Sequence, residues 1–268
     1  LGDRALAARV VHQLDQVVLV GPRGEHDRDV GLEGVGEQVV LAAQADDGLQ
    51  PGDRADEVKE KSAAEGSLIH EVVQKLVVGE PVEIPEEIKP AVLAFQKFNE
   101  GKNIFFHPEY VERPVWSGVH RYSGTIDALA SIGGKFGVLD IKTSTGFYPE
   151  YNLRTAAYVL ALQEYGLKKI LGLPSDIQTR WILRINQHRI CKLCGATMRE
   201  KGGRTKVRNG RGNGTPFCEE SKHEWSEVVG DIDLKEFPYF NQDIKGFLAA
   251  KALWEWDNSY WLRQVGYL

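Results

Sequence analysis

The sequence predicts a mixed α/β fold in which a mixed sheet is flanked by helices on both faces. Two observations support this: four segments show helical apolar spacing, and short β-branched or aromatic runs lie between them, separated by Gly, Pro or Ser. In chain order, residues 59–268 are predicted to form α, α, β, β, β, α, β, an insert, β and α. At 268 residues and 42% apolar content, the chain can build a folded core.

Two amphipathic helices are predicted first. Apolar residues recur at helical spacing from Leu68 to Val77, and Gly79 marks the stop. The second helix is predicted between Pro85 and Gly101, because a proline and acidic residues open the apolar pattern and a glycine closes it.

Three β-rich runs follow and predict an antiparallel meander, with a hairpin turn at residues 133–135. These runs cover residues 104–116, 122–132 and 135–144. The rest of the chain predicts a helix at residues 149–165, strands at 177–186 and 228–233, and a helix or broken helix at 234–258.

Residues 1–58 have an unusual composition. They use only ten amino-acid types, all with codons that can begin with G or C, and contain no Lys, Ile, Ser or aromatic residue. Our hypothesis is that this segment is a gene-model artefact, and the alternative is a genuine low-complexity acidic extension. The folded domain is therefore assigned to residues 59–268.

The charge and the apolar pattern limit the class of protein. The first 58 residues carry 5 Arg against 12 acidic residues, so the overall net charge of −5 is local and the remainder is net +2. A nucleic-acid partner is therefore compatible with the composition. Apolar runs are short, no secretory leader opens the chain, and three cysteines suit a metal site better than a disulfide framework. We expect a soluble, intracellular protein.

Two aspartates and a lysine interrupt the apolar runs of the meander. On a strand, Asp140 and Lys142 project to one side, and Asp127 lies on the preceding strand. Two neighbouring carboxylates repel each other unless a cation neutralises them, and their hard oxygens suit Mg²⁺ or Mn²⁺. A lysine beside such a site could orient or deprotonate water, which suits phosphodiester hydrolysis. The alternative is a weak surface ion pair at a solvent-exposed hairpin.

Four short motifs occur in an order that strengthens the first interpretation. They are GSLIH at residues 66–70, GTID at 124–127, DIK at 140–142 and RTAAY at 154–158. In this order and spacing, residues 60–185 resemble the PD-(D/E)XK nuclease superfamily, in particular its RecB-like exonuclease branch. The resemblance implies a restriction-endonuclease-like core.

The resemblance also implies roles for individual residues. Asp127 and Asp140 would ligate a catalytic Mg²⁺ or Mn²⁺ with help from the Ile141 carbonyl, and Lys142 would position or activate the attacking water. His70 would be a further metal ligand, although a lone histidine on an apolar helix face is often structural. Tyr158 would lean over the site with Arg154 and contact the DNA backbone.

Two positions are less regular. The branch usually carries Gln where this chain has Arg154, and an arginine could instead grip a phosphate in a bidentate manner. Glu112 precedes the first Asp strand and is a candidate second-metal or supporting group, with Glu109 as a competitor. A plain strand glutamate is the alternative for Glu112.

An insert at residues 188–225 carries a second candidate site. Cys191, Cys194, Cys218 and His223 offer three thiolates and an imidazole, which suffice for a closed structural Zn²⁺ site. The 23-residue Gly-rich segment between Cys194 and Cys218 has little means of folding alone, so metal could stabilise it. Unliganded thiols in a disordered loop are one alternative. An iron–sulfur cluster fits less well, because a fourth cysteine is absent.

The insert is also strongly basic. Residues 189–222 contain nine Lys or Arg and three Glu. Such a flap would attract the phosphate backbone of DNA without reading its sequence, and solvated charge is the alternative. The cations predicted to contact DNA are Arg204, Lys206, Arg208 and Arg211.

The function expected from these features is that of a Mg²⁺- or Mn²⁺-dependent deoxyribonuclease with a structural zinc. The resemblance favours an exonuclease of recombination, repair or phage DNA processing, in the cytoplasm of a bacterium or a phage-infected cell. DNA is the expected partner, with a helicase or recombination protein as an unidentified further one. The alternatives are a non-catalytic nucleic-acid-binding protein and a restriction or junction endonuclease on the same fold.

Overall fold

The computed structural model describes residues 18–19, 53–208, 218–219 and 222–268. The helices are α1 (Asp53–Val77), α2 (Lys89–Lys102), α3 (Pro149–Gln163), α4 (Tyr165–Leu171), α5 (Asn241–Asp257) and α6 (Ser259–Gln264). The strands are β1 (Val18–Leu19), β2 (Phe105–Phe106), β3 (Arg113–Ser117), β4 (Tyr122–Ile126), β5 (Ala128–Ile132), β6 (Lys135–Lys142), β7 (Thr179–Ile190), β8 (Thr197–Lys201), β9 (Arg204–Arg208) and β10 (Val229–Glu236). Apart from 18–19 and 53–58, the positions to which the artefact hypothesis refers lie outside these described residues.

The larger sheet is mixed. Strands β2, β5, β6 and β7 are neighbours in that order, and β10 also pairs with β7. The β6–β7 pair is parallel, whereas the β2–β5, β5–β6 and β7–β10 pairs are antiparallel. The end of β7 continues beyond β6 and pairs with β8, which pairs in turn with β9. A smaller sheet joins β1, β4 and β3.

Helices cover both faces of the larger sheet, as predicted. On one face, α1 and α2 pack against alternate residues of β6 and β7, among them Leu139, Ile141 and Leu183. On the other face, residues of α3, α4 and α5 pack with Leu129 and Val138. Each fully buried large aliphatic side chain contributes about 1.5–3 kcal/mol, so this alternation fixes which face of β6 turns to which helices.

The predicted meander is wrong at two points. The run at residues 104–116 is broken by a short 3₁₀ turn at Pro108–Tyr110 into β2 and β3, which belong to different sheets. The run at residues 122–132 is not a single strand, because it breaks at Asp127 into β4 and β5, which belong to different sheets. At the break, the Asp127 side chain accepts the Ile141 N–H and the Asp127 carbonyl accepts the Glu112 N–H. The β5–β6 hairpin is confirmed, and its turn residues Gly133 and Gly134 both have positive φ.

Several helices begin or end at residues other than those predicted, because of a proline or a local break in the helix. Helix α2 begins at Lys89 rather than near Pro85, with Pro90 in its first turn, a position that needs no N–H donor. The helix predicted for residues 149–165 ends at Gln163, because Glu164 is extended, and α4 follows. The helix predicted for residues 234–258 begins only at Asn241, because β10 runs on to Glu236, and a second helix, α6, follows Asn258.

The insert contains more regular structure than predicted. Strand β7 runs on to Ile190, and residues 197–208 form the β8–β9 hairpin instead of an irregular loop. Its turn is Gly202–Gly203, with φ of 61° and 76°, the conformation that two-residue hairpin turns favour. Residues 209–217 and 220–221 of the insert lie outside the described residues.

Helix α1 is 25 residues long and carries charged side chains along its length. Nowhere in the described ranges is a helix both long enough and apolar enough to cross a membrane.

Candidate active site and cysteine cluster

The C-terminal half of β6 carries the predicted acidic and basic residues. Leu139 and Ile141 face α1 and α2, whereas Asp140 and Lys142 face the side on which α3 lies. Asp140 is 1% exposed and the Lys142 side chain 11% exposed. Because Asp140 and Lys142 are two residues apart on the strand, their side chains lie together on the same face, where both are largely buried.

Asp127 reaches the same point from the break between β4 and β5. Its Oδ2 accepts the Ile141 N–H at 2.6 Å, so the carboxylate takes the place of a backbone partner there. The Ile141 amide lies between Asp140 and Lys142 in the chain. The structure therefore brings Asp127 next to both of them, as the motifs predict.

Two cations hold the Asp140 carboxylate. Arg154 Nη2 of α3 donates to Asp140 Oδ1 at 2.6 Å, and Lys142 Nζ forms an ion pair with Asp140 Oδ2. Burial by itself raises the pKa of Asp140, but the positive charges of Arg154 and Lys142 outweigh burial and hold that pKa below its ordinary value. Asp140 is therefore ionised at neutral pH.

Lys142 has a different balance. Burial lowers its pKa and the nearby Arg154 lowers it further, and together they outweigh the attraction of Asp140. Its Nζ also donates to the Ile141 carbonyl at 3.0 Å and lies 5.3 Å from the centre of the Tyr151 ring. Lys142 thus releases its proton more readily than an exposed lysine, which suits a group that handles protons.

His70 approaches from α1. Burial lowers the pKa of His70, even though the negative charges of Asp127 and Asp140 raise it. The imidazole is therefore neutral at pH 7, which is the form that binds a metal ion. The charges of Asp127 and Asp140 act on His70, so it lies in their vicinity, and its role as a metal ligand stays a prediction.

Glu112 also lies at this site, at the mouth rather than inside. Its backbone has a positive φ of 50°, and its carboxylate accepts a hydrogen bond from Gln74 of α1, one turn after His70. Partial burial and the charge of Asp127 raise the pKa of Glu112, although its side chain remains partly exposed. A supporting role for Glu112 stays a prediction.

The residues predicted to contact DNA from α3 are both buried. Tyr158 is 3% exposed, and burial raises its pKa. Arg154 is 9% exposed, and its observed partner is Asp140. Their contact with a DNA backbone stays a prediction.

Part of the site has the chemistry that Mg²⁺ or Mn²⁺ requires. Asp127, Asp140 and the Ile141 carbonyl supply hard oxygens, so their chemistry fits such an ion. Arg154 and Lys142 each hold one oxygen of Asp140, so an incoming ion would compete with them. Within the described residues, the cysteine cluster is the one group of three or more His, Cys, Asp or Glu side chains close enough to share an ion.

This cysteine cluster is formed by Cys191, Cys194, Cys218 and His223. Its four ligand atoms lie within 4.8 Å of one another, and Cys194 Sγ is 3.5 Å from His223 Nδ1. Three sulfurs and one imidazole at this spacing could hold a metal ion such as zinc. The predicted tight turn is also present, since Gly195 has a φ of 70° and donates to the Cys191 carbonyl at 2.9 Å.

The cluster joins the two ends of the insert. The Lys192 N–H donates to the Glu224 carbonyl at 2.8 Å, and the Ser226 N–H donates to the Ile190 carbonyl at 2.9 Å. Burial raises the pKa of the Cys191 thiol, but hydrogen bonds with His223 and with backbone groups lower it to about 6. Cys191 is therefore largely a thiolate at pH 7, the form in which cysteine binds metal.

The predicted DNA-contacting cations of the insert lie mainly on β9. Arg204, Lys206 and Arg208 are exposed and alternate along the strand, so they share one face. Arg211 lies outside the described residues.

The sequence motifs did not indicate the residues of β8 that contact the chain just after Lys142. Thr143 follows Lys142, and Arg199 and Lys201 of β8 both donate to its carbonyl. The alternation of cations with other residues from Arg199 to Arg208 was a signal for a hairpin, and Gly202–Gly203 was its turn. Tyr151 carried no signal, because its contact with Lys142 depends on how α3 crosses β6.

No family model and no curated protein matches this chain.

Proposed function

We propose that this protein is a metal-dependent DNA nuclease of the RecB-like PD-(D/E)XK type, with a restriction-endonuclease-like core. The observation that supports it most is the Asp127–Ile141 hydrogen bond of 2.6 Å, which gathers Asp127, Asp140 and Lys142 at one point. Two carboxylates and a lysine of lowered pKa are the groups that phosphodiester hydrolysis needs.

Asp127, Asp140 and the Ile141 carbonyl would hold the Mg²⁺ or Mn²⁺, with His70 as a further ligand. When bound, such an ion supplies Lewis acidity toward a phosphate and toward water. The residues of the chain supply the rest: Asp127 is fixed by a backbone N–H, and Asp140 stays ionised at neutral pH.

Lys142 would act on the attacking water. Its Nζ is held near Asp140 and the Ile141 carbonyl, so its position is defined, and burial lowers its pKa. As an ammonium it can orient a water through a hydrogen bond. It can accept the proton of that water at Nζ only after it has released its own proton to solvent, and its lowered pKa favours that release. Arg154, beside it, would neutralise negative charge that develops on the phosphate.

The remaining parts of the proposal follow from the resemblance. We assign exonuclease action in recombination, repair or phage DNA processing, a cytoplasmic location, and a helicase or recombination protein as a further partner. The cysteine cluster would hold a structural Zn²⁺ that closes the insert. Arg204, Lys206 and Arg208 would contact DNA phosphates.

A cleavage assay tests the proposal. The full chain is incubated with end-labelled single- and double-stranded DNA and with circular DNA, in Mg²⁺ or Mn²⁺. Asp127→Asn is the informative variant, because asparagine keeps an oxygen for the Ile141 N–H but loses the charge. Asp176→Asn, at a carboxylate that is 80% exposed, is the matched control. The proposal predicts metal-dependent cutting by the wild type and the control only, with linear DNA preferred.

A non-catalytic nucleic-acid-binding protein is the second candidate. It is favoured by the two ion pairs of Asp140, because Arg154 and Lys142 already neutralise the carboxylate as a metal would. If the wild type binds DNA but cuts it no faster than Asp127→Asn in either metal, this second function replaces the first.

A further inference from the structure

The β8–β9 hairpin gathers cations on one face. Arg199 lies opposite Lys206, and Lys201 lies opposite Arg204 in the antiparallel register. Directly opposite residues project to the same face of a two-stranded ribbon, so these four cations form two cross-strand pairs on one face. Arg208 joins them, because it lies two residues beyond Lys206 on β9.

The two members of this face on β8 contact the segment that follows Lys142. Arg199 Nη2 donates to the Thr143 carbonyl at 2.9 Å. Lys201 Nζ donates to the same carbonyl at 3.0 Å and to Thr143 Oγ1 at 3.2 Å. One backbone carbonyl therefore accepts hydrogen bonds from two charged side chains. Hydrogen bonds from charged donors are stronger than those from neutral donors.

Helix α1 closes on Thr143 from another side. A Cβ built on Gly66 would lie 2.8 Å from Thr143 Oγ1, which leaves no room for a side chain there. Thr143 is thus held between α1 and the hairpin, one residue after Lys142. The Thr143 carbonyl belongs to the planar peptide unit that joins Thr143 to Ser144, so these contacts hold the backbone immediately after Lys142 and limit how far the end of β6 can move.

The four cations differ in their surroundings. Arg199 and Lys201 are partly buried, and burial together with the charge of Arg199 lowers the pKa of Lys201 to about 8. Arg204 and Lys206, their cross-strand partners, are exposed. The cysteine cluster lies at the base of the hairpin, between the end of β7 and the start of β8, and ties the hairpin to the sheet.

We propose that Arg199 and Lys201 are positioning residues for Lys142, whereas Arg204 and Lys206, on the same face, hold the phosphate backbone of the substrate. The hairpin thereby sets the geometry of the end of β6 with Arg199 and Lys201 and guides a nucleic-acid strand toward it with Arg204 and Lys206. This inference rests on the proposed nuclease function for its substrate and its reaction.

Two double variants of the full chain separate these roles, because each removes two positive charges from the same face. For Arg199→Met/Lys201→Met, the proposal predicts a kcat about 100-fold lower, since small displacements of a reacting group have effects of this size, with little change in KM. For Arg204→Met/Lys206→Met, it predicts an unchanged kcat and a higher KM. In this second variant, the slope of log affinity against log salt also falls by about two.

Amide hydrogen exchange gives a readout that does not depend on cleavage. Loss of the Thr143 contacts should make exchange at residues 141–144 about tenfold faster in Arg199→Met/Lys201→Met and leave it unchanged in the matched variant. The conservative single variant Arg199→Lys keeps a cationic donor to the Thr143 carbonyl. Its kcat should therefore lie much closer to that of the wild type than to that of Arg199→Met/Lys201→Met. Thermal unfolding of every variant shows whether the fold is intact.

Three outcomes overturn the proposal: unchanged exchange at residues 141–144, a rise in KM without a fall in kcat in Arg199→Met/Lys201→Met, or equal behaviour of the two double variants. If the wild type cuts no DNA, the nuclease function fails separately. The exchange measurement then decides alone whether Arg199 and Lys201 hold the end of β6.

Discussion

Arg154 Nη2 lies 2.6 Å from Asp140 Oδ1, and the Asp140 side chain is 1% exposed. The guanidinium therefore holds an oxygen that the proposed function assigns to a divalent ion. Two unit charges about 4 Å apart interact by about 4 kcal/mol at the effective dielectric constant of about 20 that suits proteins. A divalent ion that bound Asp140, as the proposed function requires, would have to overcome an interaction of this order, so the proposal makes Arg154 a competitor of that ion.

Replacing Arg154 by glutamine tests this competition. Glutamine keeps an N–H donor for Asp140 but has no charge, so the affinity for Mn²⁺ is expected to rise at least about tenfold. Titration followed by electron paramagnetic resonance measures that affinity directly. Arg113→Gln, at an exposed arginine of β3, is the control and should leave it unchanged. Equal Mn²⁺ affinity in wild type and Arg154→Gln would contradict the competition.

Arg180 is a buried cation on which the placement of α3 depends. It is fully buried, forms an ion pair with Asp243 of α5, and donates to the Asn152 carbonyl and to Thr155 Oγ1 of α3. Arg180→Met leaves Asp243 and these acceptors without their cationic donor. Because Asp243 is 30% exposed and its charge stays partly hydrated, the main loss is that of the buried hydrogen bonds, and we expect the free energy of unfolding to fall by about 1–3 kcal/mol.

Urea unfolding followed by circular dichroism measures this loss. The exposed Arg113→Met is the matched control, for which a change within about 0.5 kcal/mol is expected. A loss below about 1 kcal/mol for Arg180→Met would show that α3 and α5 do not depend on this residue.

The cysteine cluster predicts a specific metal content. The purified full chain is expected to contain about one zinc per chain, because three thiolates and one imidazole complete a tetrahedral site. His223→Gln should lose most of that zinc and lower the melting temperature, since binding to the folded state stabilises it. His188→Gln, a histidine of β7 outside the cluster, should keep both. Elemental analysis that finds His223→Gln as zinc-rich as the wild type would rule this site out.

The Arg184–Asp231 pair predicts a pH dependence of stability. Burial by itself raises the pKa of Asp231. The hydrogen bonds and the charge of Arg184 lower that pKa by more than burial raises it, so the pKa lies below its ordinary value. A carboxyl with a lowered folded-state pKa stabilises the fold above its unfolded pKa of about 3.9, and this contribution disappears as pH falls through the folded value.

Asp231→Asn isolates that contribution. It should lower the free energy of unfolding by about 1 kcal/mol at pH 7, because Asp231 is partly exposed, and by much less near pH 3. Urea unfolding at both pH values measures the difference, with the exposed Asp257→Asn as control. A loss that is equal at pH 7 and pH 3 would contradict an electrostatic origin.

Much of the fold follows from periodicity. Helical apolar spacing predicted α2, α3 and the last part of α1, which begins earlier, at Asp53, and the Gly133–Gly134 turn predicted the β5–β6 hairpin. The break at Asp127 could not be predicted from periodicity, because apolar residues continue on both sides of it. At the break, the Asp127 carboxylate accepts the Ile141 N–H in place of a backbone carbonyl of the neighbouring strand. Local patterns do not reveal where a strand changes sheets.

The candidate site was predicted in part. The i, i+2 spacing of Asp140 and Lys142 was sufficient to place both on one side of β6. The Arg154–Asp140 ion pair depends on how α3 crosses the sheet, and the Thr143–Lys201 contact joins residues 58 positions apart. Such long-range contacts are set by packing, which no short motif encodes.

Single-turnover cleavage by a Lys142 variant tests the central claim most directly. Lys142→Met removes the proposed proton-handling group while Asp140 keeps Arg154 as its partner, so the fold should persist. With saturating protein and Mg²⁺ or Mn²⁺, the account predicts a rate about 10²- to 10⁴-fold below that of the wild type, with DNA binding retained. The exposed-pair variant Lys168→Met should cut at the wild-type rate. Cleavage by Lys142→Met as fast as by the wild type, or no metal-dependent cleavage by the wild type, would contradict the account.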